Sequence, residues 1–355
     1  MSKPDFAKIF GSLKPDLLMY DLYQPWAEEV ARSHNIPAVK LLTSTAAFLS
    51  YFFHSYIKPD ARAPPFPLIY SKEIEQRRLN KLMQSANAMT KKNPGGGDSD
   101  GGDFFSGSNK QIALITTSRA IEAKYIDYLQ DVHCYRKAIP VGSLIHEQGD
   151  HNDYEYVELM DWLGKKDEHS TVFVSFGSEH FLSKDESEEI AFGLERSDVN
   201  FIWVVRFPKT DELEAQLPKG FLERVGDRGR VVEGWVPQQR ILNHQSIGGF
   251  VSHCGFNSVM ESIDFGVPII AMPVHLDQPV NAGLMVEIGV AVEIVRDDEG
   301  KVHREEIAKV VKSVIVEETG DVLRNRVREI SENSKYVSGK EMDAAVQELI
   351  HLCKN

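Results

Sequence analysis

Short apolar runs rich in β-branched and aromatic residues alternate along the chain with longer segments of helical periodicity. Such runs predict buried strands, and the segments between them predict the crossover helices of a parallel sheet. The strands predicted in a first series lie at 17–20, 38–42 and 112–116, with helices near 25–33, 46–54 and 120–129. A second series of strands lies at 171–175, 201–205, 231–232, 248–251, 268–272 and 291–294. The alternation predicts an α/β fold.

A polar stretch without periodicity, at 141–156, separates the two series. Such a stretch is typical of an interdomain linker. We therefore predict a first domain at 1–142, a linker at 143–158, a second domain at 159–335 and a C-terminal helix at 336–355. On that last helix, Val346, Leu349 and Ile350 fit one apolar face.

The segment 91–109 is dense in glycine, aspartate and serine, and its composition predicts a solvated loop. Asp98, Asp100 and Asp103 suggest a calcium loop. An EF-hand loop needs glycine at its sixth position and glutamate at its twelfth, but those positions hold Asp103 and Asn109. The spacing therefore favours a loop without metal.

Composition narrows the classes of partner. A chain of 355 residues with 42% apolar residues suffices for two cores. Its formal charge of -13 disfavours nucleic acid and anionic membrane as partners. Cys134, Cys254 and Cys353 are too scattered for a disulfide framework, which favours a reducing compartment. With neither a signal-like terminus nor an apolar window of spanning length, the sequence predicts a soluble cytoplasmic protein.

One strand-to-helix turn has the chemistry of an anion site. The predicted strand at 248–251 runs into His253 and Gly255, after which Asn257 and Ser258, both good cap residues, open a helix. Glycine at such a turn lets a ligand approach the backbone, while free N–H groups and the positive helix end attract a phosphate. An ordinary capped helix of an α/β sheet is the alternative.

Residues around the turn suit the rest of a nucleotide sugar. Trp235, just before Pro237, could present its indole at a loop tip and stack on a base, although a core position is the alternative. Glu261 lies on the face of the cap residues and suits two vicinal hydroxyls, or is simply solvated. Asp277 and Gln278 follow a strand at the ligand-binding edge of the sheet and suit sugar hydroxyls, or form a helix cap.

The segment 235–278 resembles, from end to end and without a gap, the plant secondary product glycosyltransferase signature of family 1 UDP-glycosyltransferases. The resemblance implies which residues bind the parts of the UDP-sugar donor. Uracil is bound by Trp235 and the backbone of Val236, the ribose by Gln238 and Glu261, the diphosphate by His253, Asn257 and Ser258 at the Gly255 turn, and the sugar by Asp277 and Gln278. The terminal glutamine favours glucose. Phe256 departs from the usual tryptophan, since it keeps an aromatic ring but lacks the indole N–H.

Further matches lie upstream. The run at 174–178 resembles the serine-glycine turn of the family, which implies that Ser178 lies near the diphosphate. Asp21 falls where the family keeps the aspartate that orients its catalytic histidine, although a cap or turn role fits equally. Thr43 and Ser44 occupy the hydroxyl-bearing turn near the sugar and diphosphate, with a simple N-cap as the alternative.

The catalytic histidine of the family lies about a hundred residues before that aspartate, by the same resemblance. Only twenty residues precede Asp21 in this sequence, and the first histidine is His34, which fits a helix end. A base is needed because a hydroxyl is a poor nucleophile while protonated. We therefore expect an amino-terminally truncated chain with an incomplete first domain.

The resemblance implies a GT-B fold of two Rossmann-like domains, with the final helix packed on the first of them. It also implies a monomeric, metal-independent enzyme that needs no cofactor beyond its co-substrate. The expected reaction is inverting transfer of glucose from UDP-glucose to a hydroxyl of a small glycoside, of flavonoid or terpenoid type. The alternative is a catalytically impaired relative that binds UDP-sugar without transfer. A Rossmann oxidoreductase is disfavoured because no G-x-G-x-x-G run follows a strand.

Overall fold

Parallel strands linked by helices form two separate sheets. The computed structural model describes residues 3–21, 24, 26–56, 111–132, 135–144, 156–178, 181–206 and 216–354. The chain divides into a first unit, Met1–Leu144 with Asn333–Asn355, and a second unit, Ile145–Glu332. The glycine- and aspartate-rich loop at 91–109 lies outside the described residues, as does its calcium hypothesis.

The first unit contains four parallel strands in the order β1-β2-β3-β4. They are β1 (Leu18–Tyr20), β2 (Ala38–Leu42), β3 (Ile112–Ile115) and β4 (Lys137–Pro140). The helices are α1 (Lys3–Leu13), α2 (Ala27–Ser33), α3 (Ala46–Tyr56) and α4 (Arg119–Asp131). The three strands and three helices predicted here are confirmed, but β4 and α1 were missed. Strand β4 gives a weak signal because its four residues begin with lysine and end with proline, which is tolerated at a sheet edge.

The core of the first unit includes residues of the C-terminal helix. Apolar side chains of that helix at a spacing of three and four residues pack with Val39, Leu114 and Ile139 of the sheet. These packing residues are Met342, Ala345, Leu349 and Leu352. The predicted packing face was therefore wrong in part, since Val346 and Ile350 are exposed.

The second unit contains six parallel strands in the order β10-β9-β8-β5-β6-β7. They are β5 (Thr171–Ser175), β6 (Asn200–Val205), β7 (Gly229–Glu233), β8 (Ile247–Ser252), β9 (Ile269–Ala271) and β10 (Ala291–Glu293). All six strands predicted in this part are confirmed, with shifts of one or two residues at their ends. The strand order is that of a doubly wound sheet, in which the direction of strand addition reverses between β5 and β8.

Helices cover both faces of this sheet. They are α5 (Val157–Leu163), α6 (Lys184–Ser197), α7 (Phe221–Val225), α8 (Gln238–Leu242), α9 (Phe256–Asp264), α10 (Gln278–Glu287), α11 (Arg304–Ile315) and the beginning of α12 (Glu318–Lys354), and a short 3₁₀ turn spans Gly226–Arg228. Helix α12 is the C-terminal helix described above, and its residues from Asn333 onward belong to the first unit. In β5, Val172 and Val174 belong to one core and Phe173 to the other, as the two-residue period of a strand requires. Burial on both faces explains why these strands are continuous apolar runs.

Within the part of the chain that the structure describes, no helix combines the length and the apolar character needed to cross a bilayer.

Candidate functional site

The carboxyl ends of β5 and β8 lie side by side, with Ser175 opposite Ser252 in the parallel register. This is the point at which the strand order reverses. In open α/β sheets, ligands bind in the crevice outside such a switch point because the loops leave it in opposite directions. The serine-glycine turn after β5 and the turn after β8, both singled out in the sequence, therefore meet at one place.

His253 lies between two glycines at this switch point. A β-carbon on Gly177 would be 2.7 Å from His253 Nε2, and one on Gly255 would be 2.6 Å from the same atom. Gly177 has a φ of 76°, a left-handed conformation that favours glycine. The two turns thus seat the imidazole against bare backbone, and Ser178 follows, exposed, on the β5 side.

Helix α9 begins at this turn with Gly255 as its N-cap, a residue that has no side chain to cap the helix. The prediction that Asn257 and Ser258 cap the helix was therefore wrong, because they are its second and third residues. Asn257 is exposed in the first turn, while Ser258 is buried. First-turn N–H groups lack helical partners and favour an anion, so this end has the character of a phosphate site.

Glu261, one turn further along α9, is held by two amides of α8. Gln238 Nε2 donates to Glu261 Oε2 at 2.5 Å, and Gln239 Nε2 donates to Oε1 at 3.0 Å. Gln238 Nε2 also lies 3.5 Å from Ser258 Oγ. A carboxylate oxygen has two lone pairs, so each oxygen keeps capacity for a ligand hydroxyl. Glu261 is thus not a freely solvated residue.

Trp235 is 48% exposed, which contradicts a core position. Tyr156 Oη donates to the Trp235 carbonyl oxygen at 3.0 Å, and its ring meets the indole edge-on with centroids 5.7 Å apart. The next residue, Val236, is buried. An anchored backbone with an exposed indole is the arrangement that a stacking platform needs.

Asp277 precedes α10, but its side chain does not cap the helix. Asp277 Oδ2 accepts from Asn281 Nδ2 at 2.8 Å, and burial raises the pKa of the Asp277 carboxyl. Gln278 is buried, and its Oε1 accepts from the backbone N–H groups of Val274 and His275, both at 3.0 Å. The Gln278 oxygen therefore shapes its own loop, which leaves the amide nitrogen as the group suited to a sugar hydroxyl.

The remaining predicted residues belong to the first unit. Asp21 follows β1 and is exposed, as is Thr43 after β2. The N-cap alternative for Thr43 and Ser44 was wrong: Thr45 Oγ1 accepts from Phe48 N at 3.1 Å. The buried Glu122 carboxylate accepts from the N–H groups of Ala46 and Ala47, at 3.0 and 2.8 Å. The first amides of α3 are thus satisfied within the unit.

His34 is the C-cap residue of α2, as the sequence predicts. Its Nδ1 lies 2.9 Å from the Val30 carbonyl oxygen, and its ring packs edge-on against Phe10. These contacts explain the residue by packing and capping.

Sequence reasoning missed three residues of the second unit that contact the residues predicted to bind the donor. Asn281 lies one helical turn after Asp277, and that spacing is a signal that could have revealed the pair. Gln239 adjoins Gln238, but nothing distinguished it from a solvated glutamine. Tyr156 lies 79 residues from its partner, which no local pattern reports. Among the described residues, no group of three or more histidine, cysteine, aspartate or glutamate side chains could hold a metal ion.

Residues 139–346 match the family model of UDP-glucoronosyl and UDP-glucosyl transferase. The chain is 48% identical to the beta-D-glucosyl crocetin beta-1,6-glucosyltransferase of Gardenia jasminoides, over 99% of this chain and 78% of the relative. It is 49% identical to a mogroside IIIx synthase of Siraitia grosvenorii, over 98% and 76% of the two chains.

Solved structures agree. A UDP-glucosyltransferase from Polygonum tinctorium, capable of glucosylating indoxyl, matches with a TM-score of 0.81 at 26% identity, over 99% of this chain and 79% of that one. A transferase from Siraitia grosvenorii in complex with UDP matches with a TM-score of 0.77 at 27% identity, over 98% and 86%. The chain belongs to the UDP-glycosyltransferase family. The predicted GT-B fold with two Rossmann-like domains and the predicted enzyme class are confirmed.

Proposed function

We propose that this enzyme transfers glucose from UDP-glucose, with inversion, to a hydroxyl of a small plant natural-product glycoside of flavonoid or terpenoid type. Support for a glycoside acceptor comes from relatives named for sugar-bearing acceptors. These include a glucosyl crocetin and, at 43% and 40% identity, a cyanidin 3-O-glucoside and a flavanone 7-O-glucoside. Those names differ in the transferred sugar, so the glucose assignment rests on Gln278 and its loop.

One observation carries the donor assignment: two small side-chain networks of the second unit both contact the beginning of α9, one at its first turns and one at the Cys254–Gly255 turn. Gln238 joins Ser258 and Glu261, and Asn281 joins Cys254 to Asp277. His253 lies against Gly177 at the switch point. Residues contributed by four loops thus surround a single helix N-terminus, as the recognition of one elongated ligand requires.

The ligand groups follow the order of UDP-glucose. We assign uracil to the Trp235 indole and the backbone of Val236, and the ribose hydroxyls to Glu261 and Gln238. The N-terminus of α9 has the dipole and amide donors that a diphosphate needs. The groups proposed to assist there are His253, Gly255, Asn257, Ser258 and Ser178. The sugar hydroxyls fall to Asp277 and Gln278, beside the aromatic ring of Phe256.

Transfer requires a base that removes the proton of the acceptor hydroxyl as the bond to the anomeric carbon forms, while UDP leaves with the electrons of the broken bond. We assign Asp21 the role that the resemblance implies, which is to orient a catalytic histidine that is not among the 355 residues of this sequence. At the donor, the α9 N-terminus and His253 stabilise the charge that develops on the leaving diphosphate. Transfer by this route requires no metal ion. We further propose that the enzyme is monomeric and cytoplasmic.

Two measurements test this proposal separately. Calorimetry with UDP tests the donor site, and a product assay with UDP-glucose tests transfer. The assay uses matched acceptors, a flavonoid or terpenoid glucoside and its own aglycone. We expect the protein to bind UDP and to form a product that carries two glucose residues. This product should form from the glucoside and not from the aglycone. Product from the aglycone alone would overturn the acceptor class, binding without product would overturn transfer by this chain, and failure to bind UDP would overturn the donor assignment.

A further inference from the structure

Asn281 on α10 bridges two loops of the donor site and is fully buried. Its Nδ2 donates to the Cys254 carbonyl oxygen at 3.0 Å and to Asp277 Oδ2 at 2.8 Å. An amide nitrogen carries two hydrogens, and here each has its own acceptor. One side chain therefore joins the turn after β8 to the first turn of α10.

The first hydrogen bond controls the direction of a backbone donor. The Cys254 carbonyl and the Gly255 N–H belong to one planar trans peptide, so they point in opposite directions. Because Asn281 holds the Cys254 carbonyl on one side, the N–H of Gly255, the N-cap residue of α9, is aimed to the opposite side. That amide is among those assigned to the diphosphate.

The turn needs such support because Cys254 has a φ of 62°. Residues other than glycine adopt this left-handed conformation only at an energetic cost. Ser252 Oγ accepts from the Cys254 N–H at 3.1 Å. The strained residue is thus held at its N–H by Ser252 and at its carbonyl by Asn281. Without the amide, the peptide would be free to relax towards a conformation that turns the Gly255 N–H away.

The second hydrogen bond orients the carboxylate assigned to the sugar. With Oδ2 engaged by Asn281, the rotation of the Asp277 side chain is restricted and Oδ1 keeps a defined direction. Asp277 is also the N-cap residue of α10. Its backbone and its carboxylate are therefore both tied to the same helix.

We propose that Asn281 is a positioning residue that sets the diphosphate turn and the sugar carboxylate together, without touching the donor itself. The inference rests on the proposed function. It predicts that one substitution weakens the recognition of two chemically different parts of UDP-glucose.

The experiment replaces Asn281 with leucine, which has similar size but no hydrogen bonds to give. We expect Asn281→Leu to weaken UDP by about tenfold and UDP-glucose by about a hundredfold, since UDP tests the turn alone and UDP-glucose tests the turn and the carboxylate. The matched control is Ser262→Ala, which removes another fully buried hydrogen bond, from Ser262 Oγ to the Val267 carbonyl oxygen. That control should lower Tm while both affinities stay within about twofold.

A rescue variant separates the two hydrogen bonds and also guards against poor folding. Glycine adopts a φ near 62° without strain, so Cys254→Gly combined with Asn281→Leu should recover most of the affinity for UDP. It should not recover the additional loss for UDP-glucose, because Asp277 still lacks its partner. A lower Tm with both affinities unchanged in Asn281→Leu, or full recovery of UDP-glucose binding in the double variant, would overturn the inference. Wild-type protein that fails to bind UDP would instead overturn the proposed function.

Discussion

The imidazole of His253 lies against the backbone of Gly177, where a β-carbon would be 2.7 Å from Nε2. The contact follows from the sheet order, since β5 and β8 are far apart in sequence and adjacent in space. Glycine is needed there for two reasons: its φ of 76° and the room that the imidazole takes. A side chain at Gly177 would push the histidine out of its position at the α9 N-terminus.

Gly177→Ala should therefore weaken UDP binding by at least about tenfold, or about 1.4 kcal/mol. Part of any effect comes from the strain of a left-handed alanine, about 1–2 kcal/mol. Gly289→Ala controls for that strain, because Gly289 has a φ of 77° and its β-carbon would lie 3.6 Å from Arg326 Cγ. Calorimetry should show weaker UDP binding only for Gly177→Ala, while both variants lose Tm. Equal affinities would mean that His253 is not part of the site.

Trp235→Ala should weaken UDP binding by about 1–3 kcal/mol if the indole stacks on uracil. The exposure of the side chain means that its removal leaves the core intact. Trp235→Phe keeps an aromatic face and should lose less than half of that energy. Titration of both variants with UDP tests whether Trp235 stacks on uracil. An unchanged affinity for Trp235→Ala would contradict that assignment.

Glu261 should discriminate ribose from deoxyribose. A hydrogen bond from a hydroxyl to a carboxylate is worth about 1.5–3 kcal/mol, so the wild type should prefer UDP over 2′-deoxy-UDP by about tenfold or more. In Glu261→Ala the preference should shrink to about twofold, because no carboxylate remains for the 2′-hydroxyl. The ratio of the two dissociation constants is its own control, since general damage to the fold lowers both affinities. A preserved ratio would place the ribose elsewhere.

The affinity for UDP-glucose should fall as the pH is lowered, because of Asp277. Burial raises the pKa of this carboxyl above its ordinary value, and the hydrogen bond from Asn281 offsets part of that effect. As pH falls through the raised pKa, the carboxylate takes up a proton and loses the charge that is proposed to hold the sugar hydroxyls. The loss should therefore begin at a higher pH than the ordinary aspartate value of about 3.9 predicts. Calorimetry from neutral to acidic pH should show a decline in the wild type that Asp277→Asn lacks, and parallel curves would contradict the assignment.

Stability should depend on pH through Glu189 and Arg304. The Arg304 guanidinium, followed by its backbone N–H, holds the pKa of Glu189 below its ordinary value, and the backbone donates at 2.7 Å. For a lowered pKa, the stabilisation is present above the unfolded pKa and is lost as pH falls through the folded pKa. Glu189→Gln should thus cost about 1–2 kcal/mol near pH 7 and progressively less in acid.

Thermal unfolding of Glu189→Gln should show that loss as a Tm lower by about 2–8 °C near pH 7. The control is Glu305→Gln, which removes an ion pair with Arg196 between the same two helices, α6 and α11. That pair is well exposed, so its loss should change Tm little. If Tm changes equally in both variants, the partial burial of the Glu189–Arg304 pair adds nothing to the stability.

The periodicity of the sequence was enough to locate nine of the ten described strands. Strand β5 shows why, since Phe173 and its valine neighbours are buried on both faces and leave no polar position in the run. Strand β4 was not predicted because it is short and ends in proline. Helix caps were also misjudged: Gly255 caps α9 by its backbone, and Thr45 with Glu122 satisfies the first amides of α3.

The unbroken motif at 235–278, by itself, determined the family and the kinds of groups proposed to bind a donor, because the chemistry of each residue type is local. The tertiary structure decided which groups meet. Asn281 reaches Cys254 across 27 positions, Tyr156 reaches Trp235 across 79, and Glu122 reaches Ala46 across 76. These contacts depend on the order in which strands and helices assemble, and hydrophobic periodicity carries no record of that order, since every permutation of parallel strands buries the same apolar faces.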